Sequence, residues 1–245
     1  MNTSEALLEM IRTRAGASVA EIRTEFDVSE ATVRRALRRL AASGEIVRTY
    51  GGALPARPLG GVPTTEQVAE KVRIGRVAAA LIEDGDTVVI GSGSTALEVA
   101  RNLIGRSDLT IITNALDVVG LLIDLPGIDL IVLGGLARVG MHSLLGHLTE
   151  LAACELRADK LVVGIAAFDS RHGLTSDYMP EIVVDRALRA MSREVIIVAD
   201  SSKCGRVEAA LVSSFSEVDV LVSDTDLPNK AQEDISALGV RVVLA

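Results

Sequence analysis

Hydrophobic residues in the first fifty positions recur every three or four residues, a spacing that predicts short helices with one buried face. The first such segment runs from residue 4 to residue 14 and should end at Gly16. Ser18 and Glu21 have the spacing of a capping box, in which each side chain accepts a hydrogen bond from a free backbone amide. A second helix is therefore expected to begin there and to end in a tight turn after Phe26.

A third helix is predicted from Ser29, whose side chain should cap it, to about residue 42. On a helical projection of about 100° per residue, its apolar side chains fall on one arc and its arginines on the opposite one. The apolar arc contains Val33, Ala36, Leu37 and Leu40. The arginine arc contains Arg34, Arg35, Arg38 and Arg39. Ala31 lies in the middle of the arginine arc, where a small side chain lets the helix approach a partner closely.

The segment after this helix predicts a short extended stretch, a turn and a linker. Residues 46–50 should be extended, and Gly51 and Gly52 should form the turn. Residues 55–63 are rich in proline and glycine, so they can neither continue a helix nor lie inside a sheet. The expected units are a first domain of residues 1–56, a linker of residues 57–66 and a second domain of residues 67–245.

In the second domain, short runs rich in β-branched residues alternate with helical stretches. The runs expected to form strands are Thr87–Ile90, Leu109–Thr113, Asp129–Leu133, Leu161–Ile165, Val195–Ala199, Val218–Val222 and Val240–Leu244. Strands that are separated by helices indicate a mostly parallel sheet with helices on both faces. The predicted fold class of this domain is therefore α/β.

Composition and charge place the chain among globular proteins that bind nucleic acid through one local patch. The net charge of −8 argues against nucleic-acid binding, but residues 31–57 contain six arginines and a single acid, Glu45. No apolar run approaches the ~20 residues that a membrane span needs. The N-terminus has no basic start followed by an apolar stretch, so no secretory signal is expected. The sequence therefore predicts a cytoplasmic protein that does not enter a membrane.

The arginine-bearing helix is interpreted as the recognition helix of a helix-turn-helix domain. Such a helix places its first turn near base edges in the major groove and its arginines near phosphates or guanine. The alternative is an ordinary solvated helix face. The two helices that precede it and the basic extended segment that follows it favour binding to double-stranded operator DNA.

Residues 18–53, SVAEIRTEFDVSEATVRRALRRLAASGEIVRTYGGA, resemble the winged helix-turn-helix of the DeoR family of bacterial repressors. The resemblance implies that the recognition helix faces the operator and that the wing follows it. Together with Ala31 from the helical projection, the predicted DNA-binding residues are Ser29, Ala31, Thr32, Arg34, Arg35, Arg38, Arg48 and Tyr50. The chain departs from the family at Ala36, where an acid is usual. Because Ala36 lies on the apolar arc, we expect this difference to affect packing more than DNA recognition.

A Gly/Ser/Thr loop, Gly91-Ser-Gly-Ser-Thr95, connects the first predicted strand of the second domain to an amphipathic helix. Backbone amides in such a loop and the helix dipole favour a bound anion. One alternative is a dinucleotide site, because glycines at 91 and 93 and Ala96 fit that fingerprint. A dinucleotide site also needs an acid after the next strand, where this chain has Thr113 and Asn114. A phosphomonoester is therefore favoured over a dinucleotide, with a purely structural turn as a third interpretation.

Other polar residues follow the remaining strands and should converge on this loop, because ligands of open α/β sheets bind at the carboxyl ends of strands. Lys203 is the expected counter-charge for a phosphate, and Glu181 either hydrogen-bonds a sugar hydroxyl or lies on a helix surface. The predicted effector-binding residues are Ser92, Gly93, Ser94, Thr95, Asn114, Gly134, Gly135, Asp169, Glu181 and Lys203.

Residues 70–240 resemble the sensor domain of the same family, through blocks such as EKVRIGRVAAALIEDGDTVVIGSGST and VIIVADSSKCG. That domain is related to ribose 5-phosphate isomerase, whose phosphate loop looks similar. The resemblance implies an α/β sensor domain of the ribose 5-phosphate isomerase fold that binds a phosphorylated sugar. It also raises the alternative of an isomerase, which needs paired aspartates after the fourth strand. Alanines at 166 and 167 stand there, so no catalytic residue and no enzymatic activity are expected.

The remaining chemistry-bearing residues do not indicate a cofactor or a metal. His142, His147 and His172 lack metal-ligand spacing, and Cys154 and Cys204 lie far apart. The sequence therefore predicts a transcriptional repressor that binds operator DNA and is controlled by a phosphorylated sugar. Because helix-turn-helix proteins bind paired half-sites, a homo-oligomer, either a dimer or a tetramer, is expected.

Overall fold

The structure is a computed structural model. The residues it describes are 3–14, 16–42, 45–49, 51–55, 67–138 and 140–245. The chain divides into two compact units, Met1–Pro58 and Leu59–Ala245. The predicted linker, residues 57–66, lies outside the described residues, so its limits stay a prediction.

The described part of the first unit contains three helices and a small antiparallel sheet. The helices are α1 Thr3–Thr13, α2 Val19–Phe26 and α3 Glu30–Ala42, and the strands are β1 Ala17–Ser18, β2 Ile46–Arg48 and β3 Gly52–Pro55. The strand order is β1-β3-β2, with antiparallel pairing throughout. Side chains from all three helices and from β2 form the core, including Ile11, Ile22, Leu37 and Ile46. The three predicted helices are confirmed.

Local hydrogen bonds explain where the helices of the first unit begin and end. The backbone amide of Ser18 donates to the Glu21 carboxylate over 2.7 Å, and the Glu21 amide donates to the Ser18 hydroxyl over 3.1 Å, which confirms the capping box. Asp27 adopts the left-handed conformation, with φ of 47°, and ends α2. The Thr32 amide then donates to the Ser29 hydroxyl over 3.3 Å, so Ser29 caps α3 as predicted.

The second unit is built on a seven-stranded sheet in which every neighbouring pair is parallel. Its strands are β4 Thr87–Ile90, β5 Leu109–Thr113, β6 Ile128–Val132, β9 Ala158–Gly164, β12 Ser192–Val198, β14 Val220–Ser223 and β15 Arg241–Leu244. All seven predicted strands are present, with ends that differ by up to three residues. The strand order is β15-β14-β12-β9-β4-β5-β6, so the chain changes direction across the sheet between β4 and β9.

Helices cover both faces of this sheet, as predicted. They are α4 Val68–Ala79, α5 Ser94–Arg101, α6 Leu116–Leu122, α7 His147–Cys154, α8 Met179–Ala190 and α9 Asn229–Ala237. Side chains of α4, α5 and α6 pack with Val88 and Ile90 of β4, whereas those of α7, α8 and α9 share a cluster with Val89. Because both faces of the central strands are largely buried, these strands are nearly continuous apolar runs, whereas the edge strands β6 and β15 are partly exposed. In the described part of the chain, no helix is long and apolar enough to cross a membrane.

Short antiparallel strands that the sequence analysis did not predict border the main sheet. They are the hairpin β7 Leu136–Arg138 and β8 Ser143–Leu145, and the strands β10 Ala167–Asp169, β11 Gly173–Ser176 and β13 Ala210–Ser213. The last three form a sheet in the order β10-β11-β13. Segments of three or four residues are too short to show an alternating pattern, so periodicity did not reveal them.

Candidate functional site

The arginines of α3 lie on its exposed face, opposite the residues that pack into the core. The Arg34 guanidinium donates to the Glu30 carboxylate over 2.7 Å, one helical turn earlier. Arg38 donates to the backbone carbonyl of Arg34 over 3.3 Å, and Arg35 is also exposed. Half of the Arg34 side chain remains accessible, so these cations form a surface that faces solvent.

The first turn of α3 offers small and polar side chains beside the arginines. Ala31 is exposed, and the hydroxyls of Ser29 and Thr32 lie 2.9 Å apart. Ala36 is half-buried against the core, in agreement with its place on the apolar arc. Because Ser29, Ala31 and Thr32 have small side chains, the N-terminal end of the helix can enter a major groove.

The hairpin of β2 and β3 carries the other predicted DNA-binding residues. Arg48 ends β2 and is exposed, while Tyr50 lies outside the described residues. Gly52 holds the hairpin against β1, because a Cβ atom there would lie 2.2 Å from the Ala17 carbonyl oxygen. The hairpin therefore has the position and the exposed arginine of a wing.

In the second unit, a cavity of about 310 Å³ opens at the point where the strand order reverses. Its walls include the loop after β4, the carboxyl ends of β9 and β12 and the loops that follow those two strands. Six of the ten predicted effector-binding residues line it, and they are Ser92, Gly93, Ser94, Thr95, Glu181 and Lys203. In open α/β sheets such a crevice is the usual place for a ligand.

The loop between β4 and α5 has the geometry of an anion site. Gly93 has φ of 114°, a left-handed conformation that favours glycine, and α5 begins directly after it at Ser94. Thr95 is buried in the first turn of the helix. A Cβ atom on Gly91 would lie 2.8 Å from a methyl group of Val163, so this glycine allows β4 and β9 to approach closely. Free amides at the start of α5 can therefore donate to an anion in the cavity.

Cationic side chains reach the cavity from three separate elements. Lys203 lies in a short 3-10 turn after β12, where the Ser202 amide donates to the Asp200 carboxylate over 3.2 Å. Lys71 of α4 is buried in the cavity wall, and Arg138 of β7 completes the set. Lys71 and Arg138 were not predicted from the sequence, because neither follows a strand of the main sheet. Only the packing of α4 and of the β7–β8 hairpin brings them to the loop.

Glu181 faces the cavity rather than the outer surface of α8. The Ser92 hydroxyl donates to its Oε1 over 3.1 Å, and Nη1 of Arg138 donates to its Oε2 over 2.7 Å. The Arg138 guanidinium also lies over the Tyr178 ring, 3.7 Å from the ring centre. Glu181 therefore connects the loop after β4, the β7–β8 hairpin and the start of α8.

Asp185 lies one helical turn after Glu181 and also lines the cavity. Burial, followed by the negative charge of Glu181, raises the pKa of Asp185 to about 8. This residue was not predicted from the sequence. Its spacing of four from Glu181 was the available indication, since residues four apart share one face of a helix.

Three residues predicted from strand ends lie outside the cavity and have structural contacts instead. The Asn114 side chain is buried and donates to the Leu144 carbonyl over 3.1 Å. The Gly134 carbonyl accepts from the Thr149 hydroxyl, and a Cβ atom on Gly135 would lie 2.3 Å from that same hydroxyl oxygen. These residues fix the β7–β8 hairpin and the start of α7.

Asp169 also lies outside the cavity, where it closes the turn between β10 and β11. Its Oδ1 accepts from the backbone amides of Arg171 and His172 over 2.9 and 3.1 Å. Burial acts to raise the pKa of Asp169, but these hydrogen bonds and the His172 side chain outweigh it and hold the pKa below its ordinary value. The hydrogen bonds of the Asp169 carboxylate are therefore made within its own loop.

The histidines and cysteines of the described residues form no metal site. No group of three or more His, Cys, Asp or Glu side chains in that part of the chain is placed to hold a metal ion. His142 contacts Asp117 over 2.7 Å, and His172 contacts Asp169 over 2.8 Å. Burial, followed by the charge of Asp169, raises the pKa of the Cys204 thiol, which makes it less reactive.

Family models match both units of the chain. One described as a DeoR-like helix-turn-helix domain matches residues 4–57, and one described as a DeoR C-terminal sensor domain matches residues 66–225. The chain belongs to the DeoR family. This DeoR-family chain is 33% identical to the transcriptional repressor AccR of Agrobacterium fabrum, over 89% of this chain and 87% of that protein. It is also 33% identical to the glycerol-3-phosphate regulon repressor of Escherichia coli, over 91% of this chain and 90% of that protein.

Among solved structures, the DeoR-family chain is similar to ribose 5-phosphate isomerase A from Methanocaldococcus jannaschii. The identity is 17%, the TM-score is 0.42, and the match covers 57% of this chain and 55% of that chain. The family assignment confirms the predicted helix-turn-helix domain and sensor domain. The protein is a DNA-binding transcriptional regulator rather than an isomerase.

Proposed function

We propose that this DeoR-family regulator represses transcription by binding operator DNA through α3 and the wing, and that a phosphorylated sugar in the cavity controls it. The observation that carries the proposal is the convergence of the loop after β4, Lys71 and Lys203 in one cavity. A volume of about 310 Å³ suits a small metabolite. The name of one relative, a glycerol-3-phosphate regulon repressor, agrees with a phosphorylated effector.

The proposed DNA contacts come from the first domain, which we assign to residues 1–56 and separate by a linker from residues 67–245. The DNA-binding residues are Ser29, Ala31, Thr32, Arg34, Arg35, Arg38, Arg48 and Tyr50. Exposed arginines on α3 suit phosphate contacts and bidentate contacts to guanine. The contacts of Tyr50 rest on its place in the family motif.

The proposed effector site differs from the one expected from the sequence. Amides at the start of α5 and the hydroxyls of the loop bind the phosphate, with Lys71 and Lys203 as counter-charges. Glu181 and Arg138 lie beside the sugar. The residues assigned to the site are Lys71, Ser92, Gly93, Ser94, Thr95, Arg138, Glu181 and Lys203. Asn114, Gly134, Gly135 and Asp169 are left out of it.

Control of DNA binding requires that the effector bind two states of the protein with unequal affinity. A homo-oligomer, either a dimer or a tetramer, presents two helix-turn-helix domains to paired half-sites. In this scheme the effector changes the spacing of those domains in the cytoplasm, and with it the affinity for the operator.

A gel-shift assay with DNA from upstream of the protein's own gene tests the proposal. At matched salt, we expect specific binding about 1,000-fold tighter than binding to a random fragment. One member of a sugar-phosphate panel should change that affinity by about 10-fold, a usual size for allosteric coupling. Equal binding to both DNA fragments would contradict the proposal.

Replacement of Lys203 tests the effector site separately. Lys203→Ala should weaken sugar-phosphate binding by about 10- to 100-fold, because a charge-assisted hydrogen bond is lost, and should keep operator binding. Titration calorimetry measures the first effect and the gel shift the second. Lys230→Ala is the matched control, since Lys230 lies on α9 and pairs with Asp234. Equal effector affinity in the two variants would remove Lys203 from the site.

A further inference from the structure

The wall that α8 contributes to the effector cavity is acidic. Glu181 and Asp185 lie one helical turn apart on the same face of the helix, and both line the cavity. Asp177, in the turn before α8, lines it as well. The loop after β4 and the turn that carries Lys203 also line the cavity, and they contribute amides, hydroxyls, a lysine and Asp200, whose carboxylate accepts from the Ser202 amide. The α8 side therefore differs from these two segments in the chemistry that it offers to a ligand.

The charge of Arg138 is already compensated on the α8 wall. Both Glu181 oxygens accept hydrogen bonds, Oε1 from Ser92 and Oε2 from Arg138. The Glu181 and Arg138 side chains are only 15% and 25% exposed, so the pair is partly shielded from water. A ligand that carries an anionic group besides its phosphate would place that group near the Glu181 carboxylate, and the charge of Arg138 is already paired with Glu181.

Asp185 has no cationic partner that would attract an anion. Within the described residues, its carboxyl group makes no hydrogen bond or ion pair, and the charge that acts on it is that of Glu181. Of the two later cations of α8, Arg186 donates to the backbone carbonyls of Val212 and Leu211, and Arg189 is paired with Glu217. Behind Asp185 most of the lining side chains are apolar, such as Val163 and Leu174, and Arg189 lies among them. A desolvated, protonated carboxyl group can both donate to and accept from a hydroxyl group.

One phosphate group can be held by the amides at the start of α5 and by Lys203. A carboxylate or a second phosphate on the same ligand would add negative charge beside Glu181 and Asp185, where the charge of Arg138 is already paired with Glu181. Uncharged hydroxyl groups at the same place cause no such electrostatic repulsion.

We propose that Glu181 and Asp185 bind the uncharged, hydroxyl-bearing end of the effector, so that the regulator responds to sugar monophosphates and rejects phosphorylated sugars with a second acidic group. The inference rests on the proposed function and narrows its ligand class. It assigns Asp185 to the ligand site and makes the Glu181–Arg138 pair the determinant of specificity.

Matched ligand pairs test the inference by titration calorimetry on the full-length protein. The pairs are ribose 5-phosphate with 5-phosphoribonate, and glucose 6-phosphate with 6-phosphogluconate, whose members differ at the first carbon. For the pair that binds more tightly, we expect the acid to bind at least about 10-fold more weakly, as expected for an uncompensated partly buried charge. An acid that binds as tightly as its neutral partner would overturn the inference and leave the proposed function standing. Failure of every phosphate compound to bind would overturn both.

In the variant Glu181→Gln, we expect the acid to bind more tightly relative to the neutral ligand, a change that a folding defect would not produce. The substitution frees the Arg138 charge, so the ratio between the affinities of the neutral ligand and the acid should fall by about 10-fold. A general defect would weaken both ligands without changing that ratio. Glu233→Gln, on the exposed face of α9, is the control for loss of one negative charge. An unchanged ratio in Glu181→Gln would overturn the role of the pair.

Discussion

The double variant Arg34→Ala/Arg35→Ala is expected to bind the operator about 100-fold more weakly than the wild type, because each good contact to a base contributes about 1–3 kcal/mol. Both side chains are exposed on α3, and the contact of Arg34 with Glu30 lies at the surface, where ion pairs contribute little. Loss of these side chains should therefore change DNA binding far more than stability. The gel shift measures the affinity at several salt concentrations.

Three controls make this result specific to DNA recognition. Arg193→Ala removes an arginine that is 86% exposed in the second unit and should leave operator binding unchanged. The variant Arg34→Lys/Arg35→Lys should recover the salt dependence of DNA binding that phosphate contacts produce, but not the preference for the operator over other DNA. Effector binding should remain that of the wild type throughout. Operator affinity within about threefold of the wild type would contradict the assignment of α3 as the recognition helix.

The elements that the sequence predicted well are those that local interactions determine. The capping box of Ser18 and Glu21 involves residues three apart, and the apolar arc of α3 follows from one helical period. The strands of the main sheet are apolar because both faces are covered, so their composition identified them. The hairpin of β7 and β8 carries no comparable local pattern and was missed.

The lining of the candidate effector cavity was predicted only in part, because it depends on the order of the strands. The polar residues that follow the strands were all expected to meet at one place. The crevice lies between β4 and β9, whereas Asn114 and Gly134 follow β5 and β6, on the far side of β4 from β9. Lys71 and Arg138 reach the cavity from a helix and a hairpin. Their position at the cavity depends on tertiary packing, which cannot be predicted from the periodicity or the spacing of residues in the sequence.

Asp185→Asn is expected to stabilise the second unit at alkaline pH and to flatten the dependence of its stability on pH. The ordinary pKa of an aspartate is 3.8, and burial followed by the charge of Glu181 raises that of Asp185 to about 8 in the folded protein. Between these values the folded protein holds one more proton than the unfolded chain. Raising the pH therefore lowers the free energy of unfolding, by up to about 1.4 kcal/mol for each pH unit.

Urea denaturation of the wild type and of Asp185→Asn between pH 5 and pH 8 measures this effect. The advantage of the variant should grow by about 3 kcal/mol across that range, because asparagine keeps the shape of the side chain and cannot ionise. Asp124→Asn, at an exposed position, removes the same charge without the burial and should follow the wild type. Parallel curves for the wild type and Asp185→Asn would mean that Asp185 ionises in the folded state as easily as in the unfolded chain. Asp185 would then be hydrated in the cavity, contrary to the contacts described for the α8 wall.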